Sequence, residues 1–258
     1  MNLIMTSDNQ TLSQQAFAFI KETITRKADA VFGMPTGDTP KKLYQMIIDD
    51  HQKHQTSYRD AKLFNLDEYV GLETNHPQSY YHFMRSHLID FLDIKLSNFH
   101  IPRGDSISLH QSCLMYEEQL AIHPRDIQLL GLGINGHIGF NEPGTPFSAR
   151  TRVVTLTEDT RRANARFFSS IDEVPKYAIT MGIENILEAK RIVIMASGKS
   201  KAQAVMNMLE GEVTEACPAS ALRMHPDLWV IIDSLASTML SDATRAQAVV
   251  AGAGGYRQ

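Results

Sequence analysis

The sequence predicts a three-layer α/β/α fold, with one mainly parallel, doubly wound sheet built by residues 1–258 as a single domain. Three observations predict it. Short apolar runs recur along the chain, each followed by a polar turn, in most cases with glycine, and then by an amphipathic stripe. That alternation is the pattern of βαβ units, whose parallel strands are covered by helices on both faces. No internal repeat, linker or low-complexity block interrupts it, and 258 residues give one sizeable core while being short for two.

Residues 2–5 read as an edge strand. Thr11 stands as a helix N-cap, with Gln14 three residues on as in a capping box. Leu12, Ala16, Phe19, Ile20 and Ile24 form the stripe of that helix, which ends near Lys27. Residues 30–34 read as a buried strand. Thr39 and Pro40 look like the cap and first residue of the next helix, whose inner face carries Leu43, Met46 and Ile47. Residues 61–66 are a third strand, with Asp67, Glu68 and Tyr69 at its carboxyl end. Neighbours on an extended chain face opposite ways, so one carboxylate can enter a cleft while the other braces the loop.

Tyr80, Tyr81 and Met84, with Phe83 beside them, fall on a short helix after Pro77, as core or lid packing. Residues 109–123 form a further amphipathic helix, with Cys113 on the inner face beside Leu109, Tyr116 and Leu120. Residues 151–158 are β-rich, residues 160–168 a helix with three arginines, and residues 177–187 an amphipathic helix after Pro175. Residues 191–196 are a buried strand ending in the polar turn 197–201, which opens a helix. A short helix at 218–222 and a last strand at 228–232 lead to a loose, glycine-rich tail at 248–258.

The stretch 129–144, LLGLGINGHIGFNEPG, organises the rest. A buried strand empties into a loop with five glycines, Asn135, His137, Asn141, Glu142 and Pro143. Open α/β sheets place their chemistry at such strand ends. Imidazole titrates near neutrality, so His137 is the natural proton carrier, and Glu142 lies close enough to fold back on it. Gly131, Gly133 and Gly136 also spell the dinucleotide fingerprint, but Gly139, Pro143 and Pro146 leave no room for the helix it requires.

A second turn, Thr36-Gly37-Asp38-Thr39, opens a helix whose free N–H groups and dipole suit an anion, phosphate above all. Asp38 argues against this unless its charge points away. Lys201 supplies another anion candidate. Two anion sites, an aspartate and a histidine–glutamate pair thus lie at four strand ends on one rim of the sheet. Acid/base chemistry on a small phosphorylated molecule uses all of them.

Composition narrows the partners. The net charge is −4 and no basic cluster occurs, which excludes nucleic acid and anionic membrane as expected partners. No apolar run approaches a span of ~20 residues. Two cysteines without metal spacing and no signal-peptide start fit a reduced, cytoplasmic setting. No metal cluster or cofactor signature is present, so no cofactor is expected.

The segments MPTGDTP, FNLDEYVGL, HPQSYY, LGLGINGHIGFNEPGTPF, SARTRVVTLTEDTRRANARFF, VPKYAITMGIENIL and SGKSKAQAV run from about residue 30 to 235. In that order the chain resembles the glucosamine-6-phosphate deaminases, isomerase-like enzymes that make fructose 6-phosphate and ammonia. The resemblance implies an amino-sugar phosphate as substrate and allows a homo-oligomer. It makes Asp67 the base for enolisation, His137 the group that opens the sugar ring, and Glu142 its partner. Asn135 replaces an aspartate found in some members; it can orient His137 by a hydrogen bond but exchanges no proton. Thr36, Gly37, Thr39, Arg166 and Lys201 match the phosphate site, while Asp38 departs from the commoner T-G-G-T loop. Some relatives carry an activator site for an N-acetylated sugar phosphate. Arg152 matches its arginine, but Val154 and Pro146 replace two other members of it, which implies no such activation. Two alternatives remain open: a galactosamine-6-phosphate deaminase, differing at C4, and a silent sensor of amino-sugar phosphates. Lactonases of 6-phosphogluconate share the expected fold but give no reason for the FNLDEY acid.

Overall fold

A computed structural model describes residues 1–251 of the chain. The expectation of a loose tail falls mainly on residues 252–258, which lie outside the described residues. The first half runs β1 (Asn2–Thr6), α1 (Asn9–Arg26), β2 (Val31–Met34), α2 (Lys41–His54), β3 (Lys62–Asn65), β4 (Asp67–Tyr69), α3 (Tyr80–His87), β5 (Phe99–His100), α4 (Leu109–Ile122) and β6 (Ile127–Gly131). The second half runs β7 (Arg152–Thr155), α5 (Glu158–Asn164), β8 (Tyr177–Thr180), α6 (Ile183–Leu187), β9 (Ile192–Ala196), α7 (Ala202–Glu210), β10 (Leu228–Asp233), α8 (Asp242–Ala246) and β11 (Val249–Val250).

Eight strands form one sheet in the order β11-β1-β10-β9-β6-β2-β3-β5, and every pair in it is parallel. Alternate strand residues face opposite layers. Leu129, Val193, Met195 and Ile231 pack with α1, α2 and α3, whereas Leu130, Ile192, Ile194 and Val230 pack with α4, α6 and α7. This period of two, with both faces apolar, is what a doubly covered sheet requires. The predicted three-layer α/β/α architecture is therefore the one observed. From β2 the chain steps outward to β3 and β5, then returns to β6 and proceeds the other way through β9 and β10. The reversal lies between β2 and β6, the place where open α/β sheets form their ligand crevice.

Several local expectations are corrected. Asp8, not Thr11, caps α1: its Oδ1 accepts the Thr11 N–H at 2.8 Å. Thr39 does not cap α2, because Pro40 occupies the N-cap position in helical geometry and Lys41 begins the helix. β1 is not an edge strand, since β11 pairs outside it. Residues 177–187 are not one helix. Residues 177–180, Tyr-Ala-Ile-Thr, form β8 at the centre of a second, antiparallel sheet, β4-β8-β7, and only α6 is helical. The β-type residues of β8 gain a strand partner on each side, which outweighs a weak helical pattern. The helix expected at 160–168 begins earlier, with Thr157 as its cap, and ends as a 3-10 turn at Ala165–Phe167. No helix among the described residues is long and apolar enough to cross a membrane.

Candidate active site

The loop after β6 is shaped around His137. The imidazole lies against Gly133, where a Cβ would meet ring atoms at 2.4 Å, so a side chain there would displace it. Nδ1 sits 3.4 Å from Glu142 Oε2, within ion-pair reach but without hydrogen-bond geometry. The Glu142 carboxylate also accepts from Asn135 Nδ2 at 2.7 Å and from Thr160 Oγ1 at 2.5 Å. Burial would raise this carboxyl, but the contacts with His137 and Thr160 outweigh it and hold the group at about 2. Asn135 hydrogen-bonds to the backbone of His137 and, among the described residues, makes no hydrogen bond to its ring. Its Oδ1 accepts the His137 backbone N–H at 3.2 Å, so it orients the ring only through the loop and through Glu142.

Asp67 and Glu68 face different surroundings, as their alternation predicts. Glu68 braces: its carboxylate accepts the N–H groups of Tyr69 at 2.8 Å and of Tyr80 and Tyr81 at 2.9 Å each, at the start of α3. Burial still lifts it to about 7, against those donors. Asp67 is 6 % exposed and its carboxylate has no hydrogen-bond partner among the described residues. Burial, and then the charge of Glu68, push it up to about 8. In β4 Asp67 stands opposite Thr180 of β8. The His137 loop closes onto this pair. Gly139 has φ +55°, and a Cβ there would lie 3.0 Å from Thr180 Oγ1 and 3.4 Å from Asp67 Oδ2. The Phe140 N–H donates to Thr180 Oγ1 at 3.1 Å. The histidine loop is thus hydrogen-bonded to Thr180, the strand partner of Asp67, and passes beside the aspartate.

The anion candidates are only partly assembled. Thr36, Gly37, Asp38 and Arg166 line one cavity of about 310 Å³, together with Lys41 and the aromatic wall of α3. Thr39 and Lys201 do not line it. Asp38 points to the basic groups: Oδ1 accepts from Lys41 Nζ at 2.8 Å and Oδ2 from Arg166 Nη2 at 2.9 Å. Lys41, then Arg166, holds the Asp38 carboxyl below its ordinary value. Lys201 is half-buried on the turn after β9, and burial lowers its ammonium, with no ion-pair partner among the described residues. β9, β6, β2 and β3 are consecutive in the sheet, so all four strand ends fall within about 14 Å of one rim at ~4.8 Å per strand.

Two side chains that matter here, Thr160 and Lys41, went unremarked in the sequence, and a third, Arg152, makes a contact that the sequence does not announce. Thr160 reaches Glu142 across 18 positions, and no short-range spacing announces it. Lys41 shares Asp38. Arg152 donates to Asn141 Oδ1 at 3.0 Å, while Asn141 Nδ2 donates to the carbonyls of Ile138 and Met181, which pins the middle of the His137 loop. Of the other two arginines on the helix at 158–164, Arg161 donates to backbone carbonyls of Ile171 and Val174 and Arg162 pairs with Glu158.

The chain is similar over nearly its whole length to known proteins. A glucosamine-6-phosphate deaminase of Bacillus pumilus is 48% identical over 240 residues, 93% of this chain and 100% of that protein. A solved structure described as a monomeric glucosamine-6-phosphate deaminase superposes with a TM-score of 0.90 at 48% identity, covering 93% of this chain and 100% of that one. The 6-phosphogluconolactonase of Trypanosoma brucei superposes with a TM-score of 0.76 at 19% identity, over 93% of this chain and 98% of that one, a likeness of fold alone. Residues 7–230 match the family described as glucosamine-6-phosphate isomerases/6-phosphogluconolactonase, and the chain belongs to that family.

Proposed function

We infer that this chain is a glucosamine-6-phosphate deaminase, converting glucosamine 6-phosphate and water to fructose 6-phosphate and ammonia. The observation that carries the reading is that the loop bearing His137 and Glu142 is bonded to Thr180, the strand partner of Asp67, which brings the two halves of an acid/base set side by side. Relatives at 48% identity bear the same name.

The chemistry assigns each residue a step. A closed sugar has no acidic C2–H, so the ring opens first to expose the C1 carbonyl. His137 moves the proton from O1 to O5, and Glu142 fixes its tautomer and stabilises the imidazolium. Asp67 then takes the C2 proton and returns it to C1, through an enolamine. Water adds at C2 of the resulting imine and ammonia leaves. A carboxyl held at about 8 is a stronger base, once ionised, than an ordinary aspartate, and its partly desolvated place next to Gly139 suits a carbon acid. Thr36, Gly37, Thr39, Arg166 and Lys201 are proposed to hold the phosphate. Its binding energy keeps C2 in reach of Asp67.

The same reading leaves out activation by an N-acetylated sugar phosphate, because Val154 and Pro146 stand where a basic residue and a serine are needed. Sigmoidal kinetics relieved by N-acetylglucosamine 6-phosphate would contradict this. A cytoplasmic setting is also part of the proposal, and both cysteines are free and buried.

Ammonia release should be measured with glucosamine 6-phosphate, galactosamine 6-phosphate and, for acid release, 6-phosphogluconolactone. The reading expects the gluco substrate to be turned over fastest. Preference for the galacto epimer would move the assignment to C4 recognition, and hydrolysis of the lactone alone would overturn it.

A further inference from the structure

The turn that carries Lys201 is held from outside itself. Between Ala196, the last residue of β9, and Ala202, the first of α7, the chain passes through Ser197 and Gly198. Gly198 has φ +93° and ψ 154°, and a Cβ there would meet open space, so backbone conformation alone asks for glycine. Neither the 3-10 turn at Lys199–Lys201 nor α7 has a side-chain cap of its own.

The group that pins the turn comes from the end of the next strand in the sheet. Asp233 is the last residue of β10 and only 4 % exposed. Ser197 Oγ donates to its Oδ2 at 2.5 Å, and the Gly198 N–H is shared between Oδ2 at 3.0 Å and Oδ1 at 3.1 Å. The Ala236 N–H donates to Oδ1 at 2.8 Å. Asp233 is itself fixed, because β10 lies between β9 and β1 and Asp233 stands opposite Thr6. A buried carboxylate is costly to desolvate, and donors from the two loops offset that cost.

Those donors are neutral. Among the described residues Asp233 makes no ion pair with Lys199 or Lys201, so the acid shapes the turn without taking its lysine. Asp38 does the reverse on the loop after β2, where it engages Lys41 and Arg166 directly. A lysine stem is long and flexible, so its ammonium is only as well placed as the backbone beneath it.

We propose that Asp233 is a positioning residue of the phosphate site, holding the Ser197–Gly198 turn so that Lys201 stays at the rim and free to meet the substrate's phosphate. This rests on the deaminase reading, which gives Lys201 to the phosphate. Asp233 then acts through Lys201 and through no other group of the site.

The test is a double-mutant cycle, read by calorimetric titration with inorganic phosphate, on wild type, Asp233→Ala, Asp233→Asn, Lys201→Ala and Asp233→Ala with Lys201→Ala. Asparagine can still accept from Gly198 and Ala236 and can donate to Ser197 Oγ, so it keeps the geometry without the charge. Asp233→Ala should bind phosphate about 10-fold more weakly and Asp233→Asn within about threefold of wild type. In the Lys201→Ala background, Asp233→Ala should add less than about a twofold loss, because the positioned group is gone. Steady-state kinetics of Asp233→Ala should show KM rising about 10-fold with kcat within about threefold. Unchanged phosphate affinity in Asp233→Ala, an equal loss with and without Lys201, or a loss in Asp233→Asn as large as in Asp233→Ala would overturn the proposal. Should Asp233→Ala fail to fold, Ser197→Ala removes one donor and carries the same cycle, with an expected loss of about two- to fivefold. Unchanged affinity in Lys201→Ala would overturn the phosphate role of Lys201 and the proposal with it. Because the titration needs no turnover, a wild type that binds phosphate through Lys201 but releases no ammonia would contradict the deaminase reading alone.

Discussion

Asp38 Oδ2 accepts a hydrogen bond from Arg166 Nη2 at 2.9 Å, so an arginine assigned to the substrate's phosphate is engaged by the protein's own carboxylate. The substrate must therefore replace an existing ion pair rather than fill an open site. Replacing Asp38 with serine removes that competitor and a negative charge from the rim. Inorganic phosphate should then bind about 3- to 10-fold more tightly, as fits the ~1 kcal/mol of an exposed pair. Calorimetric titration with phosphate checks this; weaker binding in Asp38→Ser would mean that Asp38 organises Lys41 and Arg166 rather than competing for them.

Glu68 holds the start of α3 through two backbone N–H groups, of Tyr80 and Tyr81, and accepts a third from Tyr69 in β4. Glutamine offers one acceptor oxygen and turns an N–H donor toward the remaining donors. Glu68→Gln should lose about 1–3 kcal/mol of stability, read from the denaturant midpoint at neutral pH.

Gly139 combines a left-handed backbone with a close approach to Thr180 and Asp67. Gly139→Ala costs about 1–2 kcal/mol in backbone conformation alone, and its methyl presses on Thr180 Oγ1 and comes into contact with Asp67. The turnover number should fall about tenfold or more, with KM less affected, in steady-state kinetics.

The two shifted carboxyls move stability in opposite directions with pH. Glu142, held at about 2 against an ordinary 4.5, contributes stability that is full above 4.5 and is lost as the pH falls toward 2. Asp67, raised to about 8 from 3.8, stays protonated in the folded chain while the unfolded chain ionises. Its burial therefore costs progressively more stability as the pH climbs from 3.8 to 8. Asp67→Asn should thus melt above wild type at pH ~8.5, with the difference closing below pH ~4. Thermal melts by circular dichroism at the two pH values check it.

Much of this was legible in the residues themselves. The alternating apolar runs gave the sheet, and the order of turns gave the four strand ends that face one rim. The bracing of the loop by one acid of the Asp67–Glu68 pair was legible because a strand sends neighbouring side chains opposite ways. What stayed hidden depended on distant partners. Residues 177–180 carry no signal for joining an antiparallel sheet, since their partners lie at 67–69 and 152–155. Asp38 looked hostile to an anion because the sequence could not place Lys41 and Arg166 on either side of it. Thr160 looked like one more helix residue until the fold brought Glu142 to it.

Asp67 is proposed to carry the proton between C2 and C1. Ammonia release from glucosamine 6-phosphate, compared between wild type and Asp67→Asn, tests it most directly. In the variant kcat should fall about a thousandfold or more, with phosphate still bound. Turnover by Asp67→Asn within a few-fold of wild type would contradict it.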